Sequence, residues 1–336
     1  MPARSPRCYN NAMHTAPTPE RLSTILSAIK GRSIPVLADL VVDRYLYGVP
    51  KRISREAPVL ILSFDRDWMV PGGGANTISN LQALGAKPVP AGIIGDDPPG
   101  RFLLDTFGDH GMDLSHLRVL SDAETLTKMR ILAGPRSGVK QQVVRMDMER
   151  SFESGTVTLP ALSEGDLLAV SDYGYNTVCP DAILKLRDRG IRVIVDSRYR
   201  LAQFPGVFAV TPNEEEACAF LGREFRTPEE ALEGAEEIRG RLEAAVVLLT
   251  RGSEGMVLSV DGLNLAIPVF GSDQPADVTG AGDTVLAAFA AAMASGATPL
   301  EAATLANIAG GIVVMKLGTA VCTPAEIRKA LGIHAG

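Results

Sequence analysis

From Ile34 to Val260 the chain alternates short β-branched apolar runs with amphipathic stretches of helical period, and nothing else in it restricts the fold as strongly. Val89–Ile94 precedes a helical stretch at Gly100–His110, and Leu167–Ser171 precedes Pro180–Arg189. Val193–Asp196, Val207–Val210, helix Asn213–Leu221, helix Pro228–Leu242 and the run Ala245–Thr250 continue the pattern. Such alternation predicts parallel strands joined by crossover helices that cover both faces of a sheet. Ile34–Val42, interrupted by Asp39, reads as one buried central strand. Two regions break the rhythm. Val59–Phe64 and Thr125–Asp147 hold strands with no helix between them, the latter turning at Gly134-Pro135-Arg136-Ser137-Gly138. They predict an antiparallel hairpin system, a small β lid over an α/β body.

The body has room for a large core, since the chain has 336 residues of which 46% are hydrophobic. A net charge of −6 argues against a nucleic-acid partner, which needs a basic face. Residues 1–19 are rich in Pro, Asn and Ala without an apolar signal core, so they read as a disordered tail, with Met13 an alternative start. Thr284–Val314 is apolar but broken at Ser295-Gly296, Pro299 and Glu301, which predicts two buried helices and no membrane span. Cys8, Cys179, Cys218 and Cys322 are scattered, and His14, His110, His116 and His334 are isolated, so neither type marks a metal site. Scattered thiols suit a reducing cytoplasm.

The chemistry concentrates in Asp277-Val278-Thr279-Gly280-Ala281-Gly282-Asp283-Thr284, just before a stretch with Val285, Phe289, Ala292 and Met293 at helical spacing. Backbone N–H groups of Gly280, Ala281 and Gly282 would be unsatisfied donors at a positive helix end, a cradle for an anion. Asp283 beside that cradle reads equally as a plain N-cap or as the acceptor of a proton from an attacking hydroxyl. Asp39 and Asp43 stand at a strand's carboxyl end, where open α/β sheets bind ligands. Pro71-Gly72-Gly73-Gly74-Ala75-Asn76 opens a helix expected at Asn76–Leu84; its glycines admit a ligand, and Asn76 can serve a polyol. Asn213 and Glu216 form a capping-box pattern that also suits a hydrated Mg²⁺. The chain lacks the G-x-G-x-x-G spacing of a dinucleotide site, the phosphate loop G-x-x-x-x-G-K-[ST] and the G-x-S-x-G elbow.

Gly72-Gly73-Gly74-Ala75-Asn76 through Gly92-Ile93-Ile94-Gly95-Asp96-Asp97, together with Asp277–Thr284, resemble the paired signatures of the ribokinase/PfkB-like carbohydrate kinases. The resemblance covers roughly Ser33–Leu331. Asp43–Gly48, Arg52–Val59, Ser171-Asp172-Tyr173 and Lys316–Thr319 are most similar to the heptose-7-phosphate kinase domain of ADP-heptose synthesis. It implies a ribokinase-like, Rossmann-type three-layer α/β sandwich spanning 20–334, with a lid near 44–64 and 123–147. It further implies an ATP-dependent transfer to a sugar hydroxyl, with Asp283 as base and Gly280, Ala281 and Gly282 as anion hole. Asp43, Gly73, Asn76 and Asp172 fall on sugar-binding positions. Asn213, Glu216, Arg251, Gly252 and Asn307 fall on nucleotide-binding ones. Glu216 would hold Mg²⁺ through water, and Asp277 a monovalent cation such as K⁺. The resemblance also implies a homodimer formed through the lid. Gly174-Tyr175 stands where heptose kinases usually carry a Lys, and Arg198 where their Asp-Pro-Lys ends. Arginine can meet a phosphate, with forked geometry. Other readings are a kinase for another sugar or a nucleoside, and an inactive kinase-fold protein that binds sugar as a regulator.

Overall fold

The computed structural model describes residues 16–152, 157–271 and 276–333; positions 1–15 of the expected tail, with Met13 and His14, and also His334, lie outside them. Thr18 accepts the Arg21 N–H and Pro19 occupies the first turn, which starts α1 (Pro19–Ile29). Then come β1 (Ser33–Ala38), β2 (Leu40–Ile53), β3 (Leu60–Gly72), α2 (Gly73–Ala83), β4 (Lys87–Gly95), α3 (Pro98–Asp109) and β5 (Leu117–Leu120). They lead to β6 (Leu126–Ala133), β7 (Gln141–Met148), β8 (Leu167–Asp172), α4 (Pro180–Asp188), β9 (Arg192–Ser197) and β10 (Ala209–Val210). The chain continues through α5 (Glu214–Leu221), α6 (Pro228–Leu242), β11 (Val246–Thr250), β12 (Met256–Val260) and β13 (Leu263–Ile267). It closes with α7 (Ala281–Ala294), α8 (Pro299–Val313) and α9 (Pro324–Ala330).

Nine strands form one sheet in the order β13-β12-β11-β10-β9-β8-β1-β4-β5. Neighbours from β11 to β5 run parallel, and β12 and β13 close one edge antiparallel. Successive strand side chains point to opposite faces. Ile194 of β9 therefore enters the core under α1, α2, α7 and α8, while Val193 and Val195 enter the one under α4, α5 and α6. This is the expected three-layer α/β sandwich. Buried residues run without a break from Asp283 to Met293, so α7 is apolar all round and sits inside the body.

The lid is a second sheet in the order β3-β2-β6-β7. Its two hairpins are antiparallel, but β2 and β6 join them in parallel. It is larger than the expected 44–64 and 123–147, beginning at Leu40 and holding β3 through to Gly72. Asp65, Arg66 and Asp67 hid the second half of β3, because charged residues are poor strand formers until a partner strand pairs them. Ile34–Val42 is correspondingly two strands. The fully buried Asp39 breaks it by accepting the N–H groups of Tyr173, Tyr175 and Thr177 at 2.8, 3.1 and 3.2 Å. The root of β6 is fixed by Asp97, which accepts the Gly100 N–H (2.8 Å), the Thr125 N–H (2.8 Å) and the Thr125 hydroxyl (2.6 Å).

Candidate active site

Gly280 takes the left-handed conformation (φ 77°) that turns the chain into α7, where a Cβ would lie 2.5 Å from Asn76 Nδ2. The helix begins at Ala281, three residues earlier than its side-chain pattern suggests, and its first intrahelical bond runs from the Thr284 N–H to the Gly280 carbonyl at 3.1 Å. The orphan donors of that first turn therefore centre on Gly282 and Asp283, while the Ala281 N–H leans on the Val278 carbonyl at 3.3 Å. Ala281 and Gly282 open onto a cavity of about 150 Å³ that Gly252, Ser253 and Asn307 also line. Asp283 is 3% exposed. Its Oδ2 accepts from Asn76 Nδ2 at 3.1 Å, and its Oδ1 from the Tyr173 hydroxyl at 3.0 Å and the Thr77 hydroxyl at 3.5 Å. Burial pushes its carboxyl up to about 7, against the hydrogen bonds of Asn76 and Tyr173. A carboxyl titrating there can take a proton at neutral pH.

Lid residues face Asp283 from its other side. Asp43 is buried, pairs with Arg130 and accepts from the Thr319 hydroxyl at 3.1 Å. A Cβ on Gly72 would sit 2.6 Å from Asp43 Oδ2, and one on Gly73 would sit 3.2 Å from the Tyr173 ring. The strand register sets Asp43 beside Lys128, Tyr45 beside Arg130, Arg130 beside Arg145 and Lys128 beside Asp147, so all six share one face. Lys128 Nζ lies 5.0 Å from the centre of the Tyr173 ring. It makes no ion pair among the described residues, unlike Arg145, which pairs with Asp147 at 2.6 Å. Burial, then Arg145 and Arg198, push its ammonium below the usual lysine range. Lys128, Arg130 and Arg145 escaped the sequence reading, although cations two apart on a lid strand were a signal of period two that pointed to them.

Asp172 is not offered to a ligand as expected. Its side chain has no exposed surface and is bound by Arg200, the Ser197 hydroxyl (2.6 Å) and the Gly174 N–H (3.1 Å). It shapes the loop after β8. Arg251 likewise turns away from the cavity, held by Glu214 at 2.8 Å and Glu254 at 2.7 Å with its side chain 7% exposed. The loop carrying it still brings Gly252 to the cavity, where Asn307 donates to the Pro268 carbonyl at 2.7 Å.

Asn213 and Glu216 form the capping box of α5: the Glu216 N–H reaches Asn213 Oδ1 at 2.8 Å and the Asn213 N–H reaches Glu216 Oε2 at 2.9 Å. Burial pushes Glu216 up to about 7. It also raises the Asp196 carboxyl well above the usual range, with Glu216 and Asp283 adding to the effect. Asn213, Glu216 and Asp196 carry the oxygen donors that Mg²⁺ takes, but among the described residues no three acidic, His or Cys side chains converge to hold a metal directly, so the fit is to an ion held through its waters. Asp277 accepts the N–H groups of Thr279 and Gly318, each at 2.9 Å. Burial works against its charge, but the bonds from Thr279 and Gly318 outweigh that and hold the carboxyl below its usual value.

A glycine-opened helix offering Asn76 to a buried acid at the start of a second helix is thus assembled from segments far apart in sequence. Residues 32–326 match the pfkB family of carbohydrate kinases. The chain belongs to that family. This pfkB-family chain is 37% identical over 334 residues to the bifunctional protein HldE of Caulobacter sp. (strain K31), a match covering 94% of the chain and 66% of HldE. It is 36% identical to HldE of Coxiella burnetii (strain RSA 331 / Henzerling II), covering 91% of the chain and 65% of that protein. The chain thus spans just under two thirds of the length of these curated relatives. Phosphofructokinase-2 from Escherichia coli, solved with substrates and products, superposes with a TM-score of 0.70 at 19% identity, covering 90% of this chain and 98% of that one. Ribokinase from Arabidopsis thaliana, solved with ribose and ATP, gives 0.70 at 20% identity, covering 90% and 99%. The pfkB-family fold is therefore the ribokinase-like sandwich with its β lid.

Proposed function

We propose that this chain is an ATP-dependent kinase for a phosphorylated sugar, with heptose 7-phosphate the first acceptor to try and Asp283 the general base. The observation that carries the reading is Asp283 itself: a buried carboxyl at about 7, set between the lid-covered acceptor side and the cavity that Gly282 lines. Asn76 and Asp43 would orient the acceptor. Its hydroxyl would give its proton to Asp283 as the new O–P bond forms at the γ-phosphorus and the bond to the ADP oxygen breaks. First-turn amides of α7 would receive the charge spread over the transferring group. Mg²⁺ near Asn213, Glu216 and Asp196 would supply neutralisation of the ATP phosphates, and K⁺ at Asp277 would support the adjoining loop. Lid closure would keep water from the phosphoryl group.

A phosphate on the acceptor is supported by Lys128, whose ammonium makes no ion pair among the described residues, and by the nearby Arg198 and the Asp147-paired Arg145. Arg198 would take the place of one lysine that heptose kinases usually carry, and Lys128 and Arg145 would make up for the one missing at Gly174-Tyr175. A nucleoside acceptor is less favoured, because Tyr45 already stacks on Trp68 at 5.2 Å and lies under Arg130. An inactive sugar-binding regulator would have no need of so polarised an acid at Asp283. The reading places the enzyme in the cytoplasm, as a homodimer joined through its lids. ADP release measured across sugars and sugar phosphates tests it, with heptose 7-phosphate first. Turnover with any of them, reduced about 10²–10⁴-fold in Asp283→Ala with ATP binding retained, is the expected result. Undiminished turnover in that variant would refute Asp283 as base.

A further inference from the structure

Asp283 is gripped by a side chain that neither the glycine-rich opening of α2 nor the start of α7 supplies. We propose that Tyr173 is the positioning residue of the phosphoryl transfer: its hydroxyl fixes one oxygen of the base, and its ring is the surface against which the lid seats Lys128. This assignment rests on the kinase reading above and extends it to how base and lid are linked.

The geometry has three parts. The Tyr173 hydroxyl donates to Asp283 Oδ1 at 3.0 Å while Asn76 Nδ2 donates to Oδ2 at 3.1 Å. With the longer Thr77 contact at 3.5 Å also on Oδ1, donors on both oxygens restrict the carboxylate's rotation and leave it lone pairs to spare for a hydroxyl proton. The donor is itself immobile. The Tyr173 N–H is held by the fully buried Asp39 at 2.8 Å, its ring packs on the bare Gly73 backbone, and the preceding Asp172 is bound by Arg200 and Ser197. Lys128, finally, belongs to β6 of the lid, yet its ammonium lies over the Tyr173 ring at 5.0 Å. A cation over a phenol ring is attracted to its face. It also draws electron density from the hydroxyl, which strengthens the hydrogen bond that the hydroxyl donates.

The protonation states suit this role. Burial, then the charge of Asp283, raise the Tyr173 phenol well above its ordinary value, so it remains a donor and cannot compete as the base. Asp283 is faced by Asn76 and Thr77 from α2, Asp43 from β2, Lys128 from β6, Tyr173 after β8 and Asp196 from β9. Arg198 faces Tyr173 in turn. Among these, the Tyr173 bond and the Lys128 charge hold the Asp283 carboxyl down, whereas Asp43 pushes it up. Loss of either the phenol hydroxyl or the ammonium must therefore raise it.

The decisive experiment needs no substrate. Aspartate labelled with ¹³C at the side-chain carboxyl is titrated by NMR in the full chain, and Asp283→Asn identifies the Asp283 signal. In the parent protein the midpoint is expected near 7. In Tyr173→Phe and in Lys128→Met it should rise by roughly half a pH unit or more, and the double variant should fall short of the sum of the two shifts. Because phenylalanine keeps the ring, unchanged melting in Tyr173→Phe separates positioning from folding. An Asp283 midpoint that stays put in Tyr173→Phe overturns the assignment, and strictly additive shifts overturn the link to the lid. Both results stand whether or not any acceptor is found. Once one is, the acid limb of kcat/KM should move with the midpoint while KM for ATP holds.

Discussion

At the scale of single residues the site sets stability against chemistry. Asp283 is nearly inaccessible and its carboxyl titrates near 7 instead of in the ordinary carboxylate range, chiefly through burial. Two outcomes follow from that one value. If Asp283 is the base as proposed, turnover should climb with pH through about 7 as it loses its proton, seen as an acid limb in kcat/KM. Stability should move the opposite way. Between the unfolded carboxyl pKa, about 3.9, and the folded value, the native state binds more protons, so stability falls as pH rises through that window. The slope from this one group is at most about 1.4 kcal/mol per pH unit. Melting temperatures across the window should therefore decline less in Asp283→Asn than in the parent chain; parallel curves would contradict the burial argument. Asp283 was legible in the sequence because its cradle is local, a glycine turn followed at once by a helix. Lys128 and Tyr173 were not. Strand register selects the first, and Asp39, at the break between β1 and β2, places the second.

At the scale of the element, the start of α7 divides two glycine roles that look alike in sequence. Gly280 has a positive φ and no space beside Asn76, so Gly280→Ala should lower stability by about 1–2 kcal/mol and disturb Asn76 as well. Gly282 has ordinary helical geometry, and a methyl there would meet nothing within 4 Å of the protein. Gly282→Ala should accordingly melt with the parent yet weaken ATP binding or turnover, because the methyl projects at the cavity. Thermal melts paired with ATP titration separate the two, and equal losses of stability would contradict the distinction. Most helices and parallel strands were readable from period and caps, as in α6, whose limits Pro228–Leu242 follow from Thr227, Pro228 and the apolar period, but the short β5 and α9 were not. The second half of β3 and the start of α2 were not, since charges and glycines carry no strand or helix preference of their own.

At the scale of the whole molecule, the two faces of the lid differ. The face bearing Asp43 and Lys128 looks onto the acceptor side, whereas the register lines up Leu46, Ile131 and Val144, and Met129 with Met146, on the other. Val144 and Met146 are about half exposed, at 49% and 52%. The same face carries the Arg44–Asp67 ion pair, so it is an apolar strip beside a charged pair, a mixture that fits the proposed lid-to-lid dimer. Light scattering at micromolar concentration should give twice the chain mass, and Val144→Glu with Met146→Glu should give the single chain; a parent protein that is already single would remove the proposal. The two sheets were foreseeable as body and lid, but which lid face points inward depends on the crossing at Asp39, and no periodicity reports that. That crossing makes the lid a cassette. The proposed base and phosphate cradle would ride together on α7, deep in the body, while much of the proposed acceptor's surroundings would lie on segments 40–72 and 126–148, rooted at Asp39, Gly72 and Thr125. Exchanging those segments between relatives should hand over a taste for one sugar or another as a unit, and leave the transfer chemistry with the host.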